Sequence, residues 1–185
     1  LIARYCTEQS EKGVHVYCDP IMGDNGSLYN GMTQDTVKHM RKIVSVADYV
    51  MPNYTEAILL TGENYSENPT PKDVRRVIDA LRRLGAKSVI ITSVTMEDAH
   101  GVCCYDHLED RYFQLPYEHI PVRFPGTGDI FSAIILGSMM QGKGLERSVK
   151  KSMDAVKKMI EINRENKDKF EGIPVESCLW IIDEA

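Results

Sequence analysis

The chain has 185 residues, a length that suits one domain able to bury roughly two-thirds of its unfolded surface without disulfides or a structural metal. Lys and Arg number 22 against 27 Asp and Glu, and the resulting charge of −5 excludes the global positive field that non-specific nucleic-acid binding needs. Hydrophobic and charged fractions of 43% and 26% are those of a globular chain and exclude disorder.

No apolar run reaches the ~18 residues of a bilayer span, and the opening LIARYCTEQSEKG lacks the pattern of a signal peptide. Neither a membrane nor a nucleic acid is therefore expected as a partner. The five cysteines are odd in number, include the adjacent pair Cys103 and Cys104, and form no C-x-x-C. They predict reduced thiols of a cytoplasmic protein rather than a disulfide framework or a zinc site.

In chain order, residues 1–12 read as the tail of a helix already running, so the chain is expected to be part of a longer protein. Short apolar, β-branched segments predict strands at 14–18 (VHVYC), 48–51 (DYVM) and 87–93 (KSVIITS). Between them, 33–46 opens on a Thr cap and carries Val37, Met40, Ile43 and Val44 along one stripe. A short helix follows Pro52 and stops at Gly62. A longer one opens on Thr70-Pro71-Lys72-Asp73, turns Val74, Val77, Ile78, Leu81 and Leu84 inward, and stops at Gly85. Residues 101–106 and 111–115 predict an antiparallel hairpin at the sheet edge. Two long helices are expected from Gly126 to about Gln141 and over 145–166, while 175–182 is apolar but too short to type. The order predicts a three-layer α/β/α domain with a mostly parallel sheet, and one domain over 1–185.

In such sheets ligands bind where strands run into helices, and each of these places carries chemistry. Gly126-Thr127-Gly128-Asp129 precedes a helix, so its backbone amides and the helix dipole form an anion site, with Asp129 placed to accept a proton from an attacking hydroxyl. The plain alternative is that Thr127 or Asp129 caps the helix. Asn53 and Glu56 fit a capping box, and Glu56 equally lies where a hydrated Mg²⁺ rests. Asp19 and Asp24 flank a Pro-Ile-Met-Gly turn and read either as turn residues or as metal-side acids. Thr92 and Ser93 read as a polar strand end or as two hydroxyls for phosphate oxygens. The five histidines show no metal spacing. Neither a G-x-x-x-x-G-K-[ST] nor a G-x-S-x-G occurs, which excludes a P-loop NTPase and the common hydrolase elbow.

Taken together, VYCDPIMGDNGSLY, MPNYTEAILLTG, VIITS and FPGTGDIFSA, in that order, resemble the pyridoxal kinases of the ribokinase-like superfamily. The resemblance implies transfer of the ATP γ-phosphoryl group to the 5′-hydroxyl of pyridoxal, pyridoxamine or pyridoxine. It implies Asp129 as base, the amides of Gly126, Thr127 and Gly128 as anion hole, and Asp24 and Glu56 near Mg²⁺. Asp19 then supports the metal side, and Asn53, Thr92 and Ser93 lie near the nucleotide phosphates. A homodimer is expected. Met51 departs from the hydroxyl residue frequent at that place, and the loop after Asp24 is shorter than in some relatives. The family's N-terminal half, which supplies most of the vitamer pocket, is not in this chain, so residues 1–185 alone are expected to be inactive. The alternatives are a hydroxymethylpyrimidine kinase of thiamine synthesis, whose members commonly carry Cys where Asp129 stands, and a catalytically incomplete nucleotide-binding fragment.

Overall fold

Local signals in the chain set each element, and the computed structural model describes residues 1–97, 99–166 and 171–184. The backbone divides into two compact units, Leu1–Tyr117 and Glu118–Ala185.

The first unit runs α1 (Ile2–Ser10), β1 (Tyr17–Cys18), β2 (Gly23–Asp24), β3 (Ser27–Leu28), α2 (Gln34–Val44), β4 (Tyr49–Val50), α3 (Tyr54–Thr61), α4 (Pro71–Leu84), β5 (Ser88–Met96), β6 (Ala99–Asp106) and β7 (Arg111–Tyr117). Five strands form one sheet in the order β1-β4-β5-β6-β7. The pairs β1/β4 and β4/β5 are parallel, whereas β6 runs against both β5 and β7, so four of the five strands share a direction. The edge hairpin expected from the sequence is this β6–β7 pair.

Helix α4 shows how the sequence builds the layer. Thr70 and Asp73 form a reciprocal capping box, Pro71 opens the first turn, and Val74, Val77, Ile78 and Leu81 are buried on one stripe. At its far end Arg82 lies 3.6 Å above the Tyr105 ring and donates to the phenols of Tyr112 (2.7 Å) and Tyr105 (2.8 Å). The hairpin is thereby tied to the helix. The core beneath centres on Val37, Val44, Val50, Leu60, Leu81, Val89 and Ile91.

Some boundaries differ from the sequence expectation. β1 and β4 are two residues each, because ladder pairing covers only Tyr17–Tyr49 and Cys18–Val50. β5 does not stop at Ser93 but continues to Met96, since β6 pairs with it beyond an irregularity between Ile91 and Val94. The second unit holds α5 (Thr127–Met140), α6 (Leu145–Asn163) and α7 (Val175–Glu184), so the untyped apolar stretch is a helix. α5 and α6 pack antiparallel through Ser148–Ser138 and Ser152–Phe131 hydrogen bonds, and Phe124, Ile134, Met159 and Ile181 form the core of this unit. None of the five cysteines forms a disulfide. Among the described residues no helix is long and apolar enough to cross a membrane.

Gly85 closes α4 at φ +121, and a Cβ there would sit 2.3 Å from the Ser45 carbonyl oxygen. Gly142 also has positive φ (+79) but opens on free space. Gly85→Ala is expected to cost about 3 kcal/mol and Gly142→Ala about 1 kcal/mol in urea unfolding, since only the first adds backbone overlap to left-handed strain.

Candidate active site

The loop after β1 is organised by one side chain from α3. Glu56 is buried at 3% exposure, yet both its carboxylate oxygens accept hydrogen bonds. Oε1 accepts the Met22 and Gly23 amides at 2.9 and 3.5 Å, and Oε2 accepts the Asn53 amide at 2.9 Å. Asn53 returns the bond by accepting the Glu56 amide through Oδ1, and its Nδ2 donates to the Gly23 carbonyl at 2.8 Å. The capping box read from the sequence is present, and the same two residues also bind the Asp19–Asp24 loop. Burial pushes the Glu56 carboxyl up to about 7, against the pull of its three amide donors and with a small addition from the Asp19 charge.

Asp19 and Asp24 are half-buried on this loop, and Asp24 Oδ1 accepts the Asn25 amide at 2.9 Å. The loop closes as a small β2–β3 hairpin in which Asn25 and Gly26 both take positive φ, and the Gly26 amide donates to Thr55 Oγ1 at 2.9 Å. Gly23 is required there, because a Cβ would meet the Ser27 carbonyl oxygen at 2.3 Å. The sequence reading missed this hairpin, although Asn-Gly is a strong hairpin signal. Thr92 joins the cluster from β5: its amide donates to the Pro52 carbonyl at 3.0 Å, and it forms a parallel bridge with Asn53. Ser93, next to it, is exposed at φ +56. Met51 is buried, so it adds no polar group.

In the second unit, Gly126 to Asp129 start α5. Gly126 is the N-cap at φ +82, and no side-chain hydrogen bond caps the helix. Thr127 Oγ1 instead donates back to the Phe124 carbonyl at 3.3 Å. Gly128 faces open space, and Asp129 stands exposed in the first turn. The first-turn amides and the dipole thus open toward solvent beside a carboxylate. Asp129 also borders an apolar groove of about 420 Å³ lined by Ile134, Val175 and Leu179.

With this geometry in place, comparison with known proteins becomes decisive. The family model for phosphomethylpyrimidine kinase matches residues 1–173. The chain belongs to that family. It is similar to the pyridoxal kinase of Arabidopsis thaliana, with 34% identity over 128 residues, covering 65% of this chain and 39% of that one. A Bacteroides thetaiotaomicron structure assigned as a phosphomethylpyrimidine kinase and solved with pyridoxal matches at TM-score 0.88 and 30% identity, over 98% of this chain and 66% of that one. Plasmodium falciparum PdxK, solved with AMP-PNP and PL, matches at TM-score 0.81 and 25% identity, over 98% of this chain and 64% of that one. The fold is ribokinase-like, as the sequence resemblance implies, and the likeness is to pyridoxal kinases of that superfamily. The chain spans 37–52% of the length of the curated relatives it matches.

Glu56 gives this site a pH signature. Its folded value, about 7, lies above the ordinary 4.5, so the unfolded chain releases this proton first as pH rises. The contribution is fully present below about 4.5 and lost as pH climbs through 7, a change of about 3 kcal/mol in metal-free buffer. Urea unfolding between pH 4 and 8 is expected to show this decline and Glu56→Gln to flatten it; an unchanged slope in the variant would assign the decline elsewhere.

Proposed function

We propose that the protein is an ATP-dependent kinase of the pyridoxal group, moving the γ-phosphoryl of ATP to the 5′-hydroxyl of pyridoxal, pyridoxamine or pyridoxine. The observation that carries the reading is the start of α5 in a chain of this family: two glycines, uncapped first-turn amides and an exposed Asp129. Asp129 takes the proton of the 5′-hydroxyl as its oxygen attacks the γ-phosphorus, the bond to the β–γ bridging oxygen breaks, and ADP leaves. The amides of Gly126, Thr127 and Gly128 face the transferred group and stabilise its charge by position alone, with no covalent intermediate. The ligands in the Bacteroides and Plasmodium structures, pyridoxal in one and AMP-PNP with PL in the other, agree with both substrates. We read the two units as parts of one kinase domain, since the family match runs through both.

On the nucleotide side, Asn53, Thr92 and Ser93 lie near the phosphates, with Asp24 and Glu56 on the Mg²⁺ side and Asp19 in support. The residues fit a hydrated ion rather than a protein cage. Among the described residues no three His, Cys, Asp or Glu converge as metal ligands. A carboxylate offers about four acceptor positions, and backbone amides take three on Glu56. One remains for a water of the ion's shell, while Asp24 is the more accessible acid. Magnesium bound there would neutralise charge on the phosphates.

Asp129 also separates the two vitamin kinases, because hydroxymethylpyrimidine kinases commonly carry Cys at that place. The reading extends to a cytoplasmic homodimer. Because the chain spans only about half or less of its curated relatives, we place most of the vitamer pocket outside residues 1–185, and these residues alone are expected to turn over slowly. In the protein encoded by the complete reading frame, Asp129→Asn is expected to lower kcat by about 10²–10⁴-fold in a pyridoxal phosphorylation assay while Mg·ATP still binds. Near wild-type turnover would remove Asp129 as base. Chelation of divalent ions with EDTA is expected to stop the wild-type reaction and added Mg²⁺ to restore it; turnover that survives chelation would refute the metal role.

A further inference from the structure

Consecutive residues of α3 hold the acid loop after β1 at two places. Glu56 fixes its base, where Oε1 accepts the Met22 and Gly23 amides. Thr55 fixes its tip: Oγ1 accepts the Gly26 amide at 2.9 Å, and Thr55 is itself buried at 5% exposure. Asp24 lies between the two anchors. Helix α3 does not need the hydroxyl, because Asn53 and Glu56 complete its capping box without it. A buried hydroxyl that leaves its own helix for a turn 29 residues earlier in the chain is therefore not explained by the cap.

The hairpin that Thr55 holds is too small to hold itself. β2 and β3 have two residues each, with Gly23 paired to Leu28 and Asp24 to Ser27. An isolated two-stranded hairpin is marginal in water even when longer. Its turn, Asn25-Gly26, has φ +52 and +76, the two positive values that a type I′ turn requires. Both turn residues are exposed, so burial in the core does not fix them. The Tyr65 ring lies beside Gly26, where an added Cβ would meet it at 3.5 Å, and it packs on Tyr54 at 5.7 Å. That contact limits the space around the turn, whereas the Thr55 hydrogen bond sets its direction. Asp24 adjoins the turn and its Oδ1 accepts the Asn25 amide at 2.9 Å, so the carboxylate moves with the tip.

We propose that Thr55 is a positioning residue: its hydroxyl pins the hairpin tip and thereby sets where the Asp24 carboxylate meets the hydrated Mg²⁺ of the nucleotide. The inference rests on the placement of Asp24 on the Mg²⁺ side made above. Thr55 acts through the Gly26 amide rather than on the nucleotide. Mg²⁺ demands near-ideal octahedral geometry and gives up its waters reluctantly. A carboxylate serves it only if its support holds it to within about 0.5 Å, which a two-residue strand with a free tip would not do.

Thr55→Val keeps the shape of the side chain and removes the hydroxyl, and because Gly26 is exposed, water can satisfy its amide in the variant. The test is isothermal calorimetry of ADP binding to the full protein, in EDTA and across a Mg²⁺ series, beside the thermal midpoint. Thr55→Val is expected to raise the Mg²⁺ concentration that half-maximally enhances ADP binding about three- to tenfold, the range of one hydrogen bond. Its ADP affinity in EDTA and its midpoint are expected to stay near wild type. Thr55→Ser, which keeps the hydroxyl, is expected to restore the wild-type Mg²⁺ response. Asp24→Asn is expected to raise the same Mg²⁺ concentration tenfold or more, and adding Thr55→Val to it to change nothing further, since both act on one carboxylate. A wild-type Mg²⁺ response in Thr55→Val alongside its loss in Asp24→Asn would overturn the positioning role and leave the metal assignment standing. Equal losses with and without Mg²⁺, a loss that merely follows a fallen midpoint, or a serine variant that behaves like the valine one would also overturn it. A wild-type response in Asp24→Asn would remove the metal assignment of Asp24 itself, and this inference with it.

Discussion

A carboxylate buried among backbone amides is the constraint on which the first unit's loops depend. Glu56 reaches from the first turn of α3 to the Met22 and Gly23 amides and to its own cap at Asn53. Remove it, and three buried donors lose their acceptor at once, each at a cost comparable to the hydrogen bond itself. Because α3 begins straight after β4, and Thr92 on β5 hangs from Pro52 and Asn53, this one side chain places the ends of three neighbouring strands relative to each other. Desolvation is severe enough to lift the Glu56 carboxyl to about 7. The site therefore stores electrostatic strain that a nearby cation would relieve.

The same geometry bears on the choice between structure and chemistry posed by Asn53 and Glu56. A capping box requires Asn and Glu at this spacing, and it is present with both reciprocal bonds. Capping alone does not require the carboxylate to be buried or to reach across 33 and 34 residues of sequence to the amides of Gly23 and Met22. The same atoms close the helix and define the acidic loop. For these two residues the structural and the functional readings are one arrangement, not rivals.

Much of this was legible in the sequence because it rests on local rules. Thr70-Pro71-x-Asp73 specified the start of α4, Gly85 its end, and the β-branched run at 88–91 the central strand. Candidate residues Asp19, Asp24, Asn53, Glu56 and Thr92 fall into one connected group, since they follow β1 and β4 or lie on β5, strands that pair side by side. What stayed hidden depends on pairing across distance. The end of β5 was misread because Thr92 and Ser93 interrupt an apolar run, and only the ladder to β6 shows that the strand resumes at Val94.

The start of α5 presents the opposite electrostatic problem to Glu56. In the role proposed for it, Asp129 must be ionised when the substrate hydroxyl arrives, yet it stands beside amides that would collect the negative charge of a phosphoryl group. Two anionic groups a few ångströms apart raise each other's energy, by about 4 kcal/mol at 4 Å for an effective dielectric of 20. Two features of α5 offset this. The helix dipole places positive charge at the first turn, where it favours both Asp129 and an incoming anion. Gly126, at φ +82, turns the chain without supplying a side-chain oxygen, so no internal acceptor competes for the amides. Had Ser or Asp stood at the cap, the helix would gain only about a few tenths of a kcal/mol of stability over glycine and lose donors to it. An uncapped helix start is thus the weaker end structurally and the stronger one chemically, and the glycine cap is what makes the exchange.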